Sequence, residues 1–451
     1  MKNLNNMPES RFLRWFFLFV SLAFLVAAPF MPDRNTMFTG LWKLMSGTCK
    51  ISTNYFAQGG FAATFLNMGL VGLICTALVC LNGAKPNNVT TLGVLLTIGF
   101  GAWGINPLNI LPTILGVFLY CLVKKEKLGA MSNAMLYSTG IAPLISDLLF
   151  RYPGVDYIGF NWAGLGLALF VGLIIGFFLP AGLGHAPNIH KGYDHYSAAV
   201  PIGMTAFFLR AVLYNVVLGK SPAALGLSTM AALDVVNLPA TNIFCIAVFA
   251  LCIVIALLMG CTPKDYWNLM KDSGHGVSFT SKYGNAPFLM NVGVFGLMIV
   301  AYFNLAGLID SKNVWTGMTF GIVFCMLATC NSGSHPRNVW PIMAGYMITS
   351  FLFKFLYQGD NSFALTIGNQ SILIGLCYAN GMSPISGKYG FGYGILAGGL
   401  HYLLVTAVPD MHGGFCLYNG GFTAALICLM LVPQLEKFVK TKEERLALKK
   451  S

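Results

Sequence analysis

Two short segments carry residues well suited to polar chemistry, and they share one spacing. P-L-N-I-L-P-T-I-L-G from Pro107 and P-R-N-V-W-P-I-M-A-G from Pro336 both follow P-x-N-x-x-P-x-x-x-G. Proline removes a backbone donor and clashes with the preceding turn, so Pro107 with Pro112, and Pro336 with Pro341, should start or interrupt helices. Backbone groups freed in an apolar setting need polar partners, and an asparagine amide both donates and accepts. Asn109 and Asn338 are therefore expected either to line a polar path beside broken helices, meeting near mid-membrane, or to cap ordinary helix starts. Asn67 and Asn291 sit inside apolar runs and need a partner there, a neighbouring helix or a solute. Tyr196 with Ser197, and Tyr418 with Asn419, open the last apolar stretch of each half, where small neighbours permit close packing or a half-helix start. Asp194 and His195, an adjacent acid and imidazole, have the chemistry of a proton relay. Arg210, inside an apolar run, either serves a function in the membrane or reaches toward an interface.

Other chemistry lacks its signatures. The 12 cysteines and 7 histidines form neither C-x-x-C nor H-E-x-x-H, so no metal or other cofactor is expected. Cys75, Cys80, Cys245, Cys252, Cys325 and Cys428 lie in apolar runs, as packing residues do. No G-x-x-x-x-G-K phosphate loop occurs, which argues against ATP-driven pumping. The alternative to a solute path is a membrane-embedded enzyme acting on a lipid or isoprenoid. Its candidates are His185, His190, Asp194 and His195, without convincing catalytic partners, so the chain is expected not to be an enzyme.

The elements that must position these residues are membrane helices. Of 451 residues, 56% are hydrophobic and 9% charged, against about 25% charged in a soluble domain. Apolar stretches lie near 14–31, 61–82, 89–104, 108–123, 131–149, 160–180 and 195–217, then near 241–260, 286–308, 314–329, 339–357, 363–380, 391–408 and 414–433. A straight crossing needs about 20 residues, so 89–104 and 314–329 should be tilted, broken or re-entrant. The fold class is all-α, a polytopic transmembrane bundle. Lys2, Arg11 and Arg14 precede the first stretch, which is read as a retained helix, and the tail from Lys437 to Lys450 is basic. Basic loops favour the cytoplasm, so both termini are expected inside a bacterial inner membrane. The net charge of +12 is explained by these loops, without nucleic acid.

The halves also repeat. W-K-L-M from Trp42 matches W-N-L-M from Trp267, and F-L-N-M-G-L-V-G-L from Phe65 matches L-M-N-V-G-V-F-G-L from Leu289. The P-x-N-x-x-P pair follows, then G-I-A-P at Gly140 with G-M-S-P at Gly381, then H-K-G-Y-D-H-Y at His190 with H-G-G-F-C-L-Y at His412. Five blocks in one order indicate an internal duplication. The expected organisation is a first repeat over 1–217, an external linker over 218–240, a second repeat over 241–436 and a tail over 437–451. Seven crossings per repeat, an odd number, invert the second relative to the first and place a site between them.

G-I-N-P-L-N-I-L-P-T around Pro107 and C-L-Y-N-G-G-F-T-A-A-L around Tyr418 resemble segments of a bacterial family of multipass membrane proteins recorded as a domain of unknown function. That resemblance implies membrane location and no mechanism. L-Y-N-G-G-F-T-A-A-L is also similar to the L-Y-G-F-N-G-x-L-V-G phrase of urea transporters, which are inverted-repeat channels. F-L-N-M-G-L-V-G-L at Phe65 shares its N-x-x-L-V-G spacing. The L-P-x-x-T phrase of those channels is not reproduced, since Leu238, Pro239 and Thr241 give L-P-A-T. The resemblance implies a small neutral solute. The function expected is a transporter or channel for a small polar solute. Its expected partners are membrane lipids, that solute, a coupling ion and further copies of itself in a homo-oligomer.

Overall fold

The computed structural model describes residues 2–49, 51, 53–151, 159–217, 238–357 and 365–449. Among them every regular element is helical. The first half contains α1 (Glu9–Ala27), α2 (Met37–Met45), α3 (Phe61–Leu78), α4 (Asn88–Phe100), α5 (Leu111–Lys124), α6 (Ser132–Ser138), α7 (Ala142–Arg151), α8 (Trp162–Leu183) and α9 (Ala199–Arg210). The second contains α10 (Leu238–Leu258), α11 (Pro263–Leu269), α12 (Asn285–Ile309), α13 (Gly317–Leu327), α14 (Pro336–Leu356), α15 (Gln370–Ala379), α16 (Ser383–Tyr389), α17 (Phe391–Leu404) and α18 (Asn419–Phe438), with α19 (Lys442–Leu448) at the end. The order repeats element for element, α1 answering α10 and α9 answering α18. Eight helices among the described residues are long and apolar enough to cross a membrane. The remaining crossings are shorter or interrupted. The protein is a polytopic helical membrane protein with an internal duplication.

Equivalent sequence features build equivalent elements. Asn87 with Thr90 caps the start of α4, and Thr316 with Thr319 caps α13 in the same reciprocal pattern. Gly60 and Gly284 precede α3 and α12 at φ of 93° and 90°, a conformation other L-residues rarely adopt. On α5, Leu111, Leu115, Leu119 and Leu122 form an exposed apolar stripe, as a lipid-facing surface requires. Its other side packs on α8 through glycine: a Cβ on Gly116 would lie 2.5 Å from the Leu173 carbonyl oxygen. Gly345 of α14 has the same relation to the Ile395 carbonyl of α17, at 2.3 Å. Small residues at such crossings let backbones approach closely, which lipid-embedded packing rewards.

The structure departs from the expected elements at two places. The stretch expected to end at 380 continues through a short 3-10 turn at Asn380–Met382 into α16, so Gly381 and Pro384 lie within the crossing. Its counterpart, α6–α7, is interrupted the same way at Thr139–Ile141. Cys80, expected inside a helix, lies exposed in the turn after α3, while the other cysteines are buried. The expected linker lies outside the described residues up to Leu238, where α10 begins.

The copies meet through α4 and α13, which run antiparallel. At one end Asn331 Nδ2 donates to Thr91 Oγ1 (3.1 Å) and Ser332 Oγ to the Asn88 carbonyl (3.4 Å). At the other end the Gly317 amide donates to Asn54 Oδ1 (3.1 Å), beside the end of α4. Equivalent helices packed antiparallel place the second copy upside down relative to the first. The pseudo-two-fold axis crosses level with Leu96 and Cys325, whose carbonyl oxygen and Sγ lie 3.7 Å apart. One face of the bundle gathers the N-terminus, the 79–87 loop, the 270–285 segment and α19. There Asn285 Nδ2 donates to the Leu4 and Met7 carbonyls (3.0 and 2.8 Å), and Arg14 Nη2 donates to the Ala84 carbonyl (2.9 Å). Most basic loop residues lie on this side, called the basic face below.

Candidate functional site

The breaks in the helices are held by the asparagines. Asn67 Nδ2 on α3 donates to the Gly101 and Ile105 carbonyls (2.7 and 2.8 Å), just past the end of α4. Asn291 on α12 does the same for Cys330 and Ser334, at 2.9 Å each. The motif asparagines close the following turn. Asn109 accepts from the Asn106 amide (2.9 Å) and donates to the Gly104 carbonyl (3.0 Å) and to Ser146 Oγ (3.0 Å). Asn338 accepts from the His335 amide (3.0 Å) and donates to the Gly333 carbonyl (2.9 Å). Pro112 and Pro336 occupy first helical turns, Pro341 lies inside α14, and Pro107 lies in the turn before α5. Both motif asparagines are buried, at 1% and 2% exposure, so they close turns inside the protein rather than in solvent.

They do not meet. Asn109 lies past the end of α4 and Asn338 past the end of α13, and these helices are antiparallel. Thirteen helical residues at about 1.5 Å each keep the two sites roughly 20 Å apart. The expected convergence at mid-membrane fails because the symmetry axis passes through the middle of α4 and α13, away from their ends.

Four tyrosines occupy the centre. The Tyr196 ring packs on Gly381, where an added Cβ would lie 2.5 Å from Cδ2, and the Tyr418 ring packs on Gly140, at 2.1 Å. Each tyrosine thus enters the interrupted crossing of the other copy. The Tyr196 hydroxyl has three acceptors within reach, the Cys325 and Cys377 carbonyls (2.9 and 3.0 Å) and Asn380 Oδ1 (2.9 Å). The buried Tyr418 hydroxyl has no hydrogen-bond partner among the described residues. Tyr137 and Tyr378 stand beside them, Tyr378 edge-on to Tyr196 with centroids 5.0 Å apart.

On either side of these rings lies a cavity. The one toward the basic face has a volume of about 540 Å³, the one toward the opposite face about 360 Å³. Their walls are equivalent by the register of the repeat: Tyr137 and Tyr378, Leu183 and Val405, Pro187 and Pro409, Gly192 and Gly414, Ser197 and Asn419, Ala198 and Gly420. The polar linings differ. His190, Asp194 and His195 line the basic-face cavity, whereas Gln370, Ser371, Thr406 and Asp410 line the other. Asp194 Oδ1 accepts from the Tyr196 amide (3.0 Å), and its buried Oδ2 has no partner among the described residues. His195 turns away, its amide donating to the Gly381 carbonyl (3.1 Å) and its Nε2 lying 3.4 Å from Ser383 Oγ. The expected Asp194–His195 pair therefore shares a wall without a direct bond. His190, which sequence reasoning left out of the relay, lies on the same wall: its Nδ1 accepts from the Asp194 backbone amide (3.4 Å) and its Nε2 pairs with Ser197 Oγ (2.9 Å).

Of the expected site residues, Ser197, Asn419, Asp194 and His195 line the paired cavities. Tyr196 and Tyr418 lie between them. Pro107, Asn109, Pro112, Asn67, Asn291, Pro336 and Pro341 instead form the breaks, and Asn338 borders a separate cavity on the basic face. The repeated G-x-x-P spacing marks these glycines in the sequence, but nothing in that spacing shows that they seat the tyrosines. His401 bridges Tyr346 (Nδ1 to Oη, 2.5 Å) and the Gly420 carbonyl (Nε2, 2.9 Å), bracing the start of α18.

Over residues 33–215 and 260–437 the chain matches a family described as a protein of unknown function, DUF1576. It belongs to that family. No curated protein and no solved structure matches it.

Proposed function

From this membership and the two facing cavities, we propose that the protein is a transporter or channel for a small polar solute in a bacterial inner membrane. What supports this is the pair of equivalent cavities opening toward opposite faces, with tyrosines between them. Inverted repeats give a site at their interface two related exposures, which is the basis of alternating access. Cavities of 360 and 540 Å³ match small-molecule volumes. The unpaired Asp194 oxygen, with His190 nearby, is a candidate for holding a proton or cation that drives uptake. The membrane-embedded enzyme is less well supported, because catalysis at one face gives no reason for a matching cavity at the other.

The test is uptake of a panel of small neutral and zwitterionic solutes by proteoliposomes. At least one should enter faster than into empty vesicles. Ser197→Trp and Asn419→Trp, each filling one cavity, should abolish that flux without loss of insertion. No stimulated flux across the panel, or unchanged flux in both variants, would overturn the proposal.

A further inference from the structure

A third cavity, of about 450 Å³, lies on the basic face among the start of α14, the end of α16, the start of α17 and α19. Lys271, Arg337, Lys388 and Lys442 line it, with Asp272 and Glu443 as the acidic groups. Asp272 is already engaged: Lys282 Nζ lies 2.6 Å from Oδ2, the Tyr283 hydroxyl donates to the same oxygen (2.8 Å), and Oδ1 accepts from the Gly274 amide (2.8 Å). Glu443 is then the one acidic side chain left to face four cations, so the cavity carries an excess of positive charge. Lys442 registers this, because burial, and then the nearby Arg337 and Arg445, hold its ammonium below the usual lysine range.

Two of the four cations are seated on aromatic rings of the cavity wall, while Lys388 Nζ lies 5.2 Å from the Tyr193 ring centroid. The Arg337 guanidinium lies 5.5 Å from the Trp267 ring centroid and Lys442 Nζ 4.8 Å from that of Phe391. Trp267, Trp340 and Phe391 are themselves exposed, as aromatic side chains are at the membrane–water boundary, the level of lipid phosphates.

The duplication supplies an internal control. By the register of the repeat, Ser46, Leu108 and Asp147 stand where the second copy has Lys271, Arg337 and Lys388. The same scaffold is thus built without these three cations on the opposite face. We propose that this cavity binds a phosphate group, carried by an anionic phospholipid headgroup entering from the basic-face leaflet. Two or more cations can share its oxygens, Arg337 offering a planar pair of donors, while the acyl chains follow the exposed apolar surface beside Trp340. The site lies apart from the paired cavities and does not depend on solute movement.

The experiment measures binding of phosphatidylglycerol and of phosphatidylcholine to the full-length protein in neutral detergent, with inorganic phosphate as competitor. Phosphatidylglycerol should bind preferentially and more weakly as salt rises. Each cation removed should weaken binding by about five-fold, so Arg337→Gln with Lys388→Gln should lose about twenty-five-fold. Arg34→Gln with Lys43→Gln, on the opposite face, should change nothing. Lys442→Gln, beyond the last crossing, gives an independent reading should the double variant fail to fold. Lack of competition by millimolar phosphate assigns the site to the lipid, and full competition assigns it to a soluble phosphate. Equal binding of both lipids, or binding unaltered by Lys442→Gln and by the double variant, overturns the proposal.

Discussion

Asparagine is the residue on which the breaks depend. A carbonyl left behind by an unwound helix end in an apolar interior must find a donor, and Asn67 and Asn291 each serve two such carbonyls. Replacing either by leucine keeps a helix-compatible side chain and strands both acceptors. Asn67→Leu and Asn291→Leu should each destabilise the protein by on the order of 1–3 kcal/mol, measured as a lower thermal midpoint in detergent. A midpoint unchanged in both variants would show that other groups satisfy these carbonyls. At this scale the sequence was informative about need and silent about partner. Polar groups inside apolar runs could be located by inspection, but whether they faced a solute or a backbone depended on where the neighbouring helix stopped. Asn109 illustrates the difference, since its motif announced a break without indicating at which end of the antiparallel pair it would fall.

At the scale of elements, what fixes the assembly is the crossing of α4 and α13. A Cβ on Gly321 would lie 2.2 Å from the Gly99 carbonyl oxygen, and one on Gly99 would lie 2.6 Å from the Gly321 carbonyl. Backbone stands in the way in both cases, with Cys325 Sγ also 2.5 Å from a Cβ on Gly99, so relief requires the copies to separate. Gly99→Ala and Gly321→Ala should therefore each cost about 1–3 kcal/mol by overpacking, seen as reduced monodisperse yield on fluorescence-detected gel filtration. Gly166→Ala on α8, with nothing within 4 Å of the added methyl, should be tolerated or mildly stabilising. Equal behaviour of all three would remove the crossing from its place at the centre of the fold. The interrupted crossings show why element boundaries were less legible than element number. Apolarity falters at Ala379–Asn380–Gly381, which by itself suggests an end there, although the matching G-I-A-P lies in mid-stretch in the first copy. Carrying the repeat register through would have extended it to Tyr389, because both copies place the glycine where a tyrosine ring must fit.

For the whole molecule, orientation and access are one question. Duplication was legible because five blocks kept their order, and the antiparallel pairing of α4 with α13 gives the inversion that an odd number of crossings implies. The paired cavities were not legible, since their walls come from five separated segments in each case and more than half of those residues are small or apolar. With most basic loop residues on one face, the positive-inside rule predicts that this face should be the cytoplasmic one. Ser197 should then be reached from the cytoplasm and Asn419 from outside, although the two occupy equivalent places in the repeat. A membrane-impermeant maleimide tests this with Ser197→Cys and Asn419→Cys on a Cys80→Ser background, the remaining cysteines being buried. Inside-out vesicles should label only Ser197→Cys and right-side-out vesicles only Asn419→Cys. A transported solute should alter both rates together, because the cavities share the tyrosines between them. Labelling of both positions from one side would mean a single vestibule, and the symmetry of the walls would then reflect folding alone. Exchange of the two sides would keep the paired cavities and reverse the assignment of the basic face, which would leave alternating access intact and count against the charge rule in this protein.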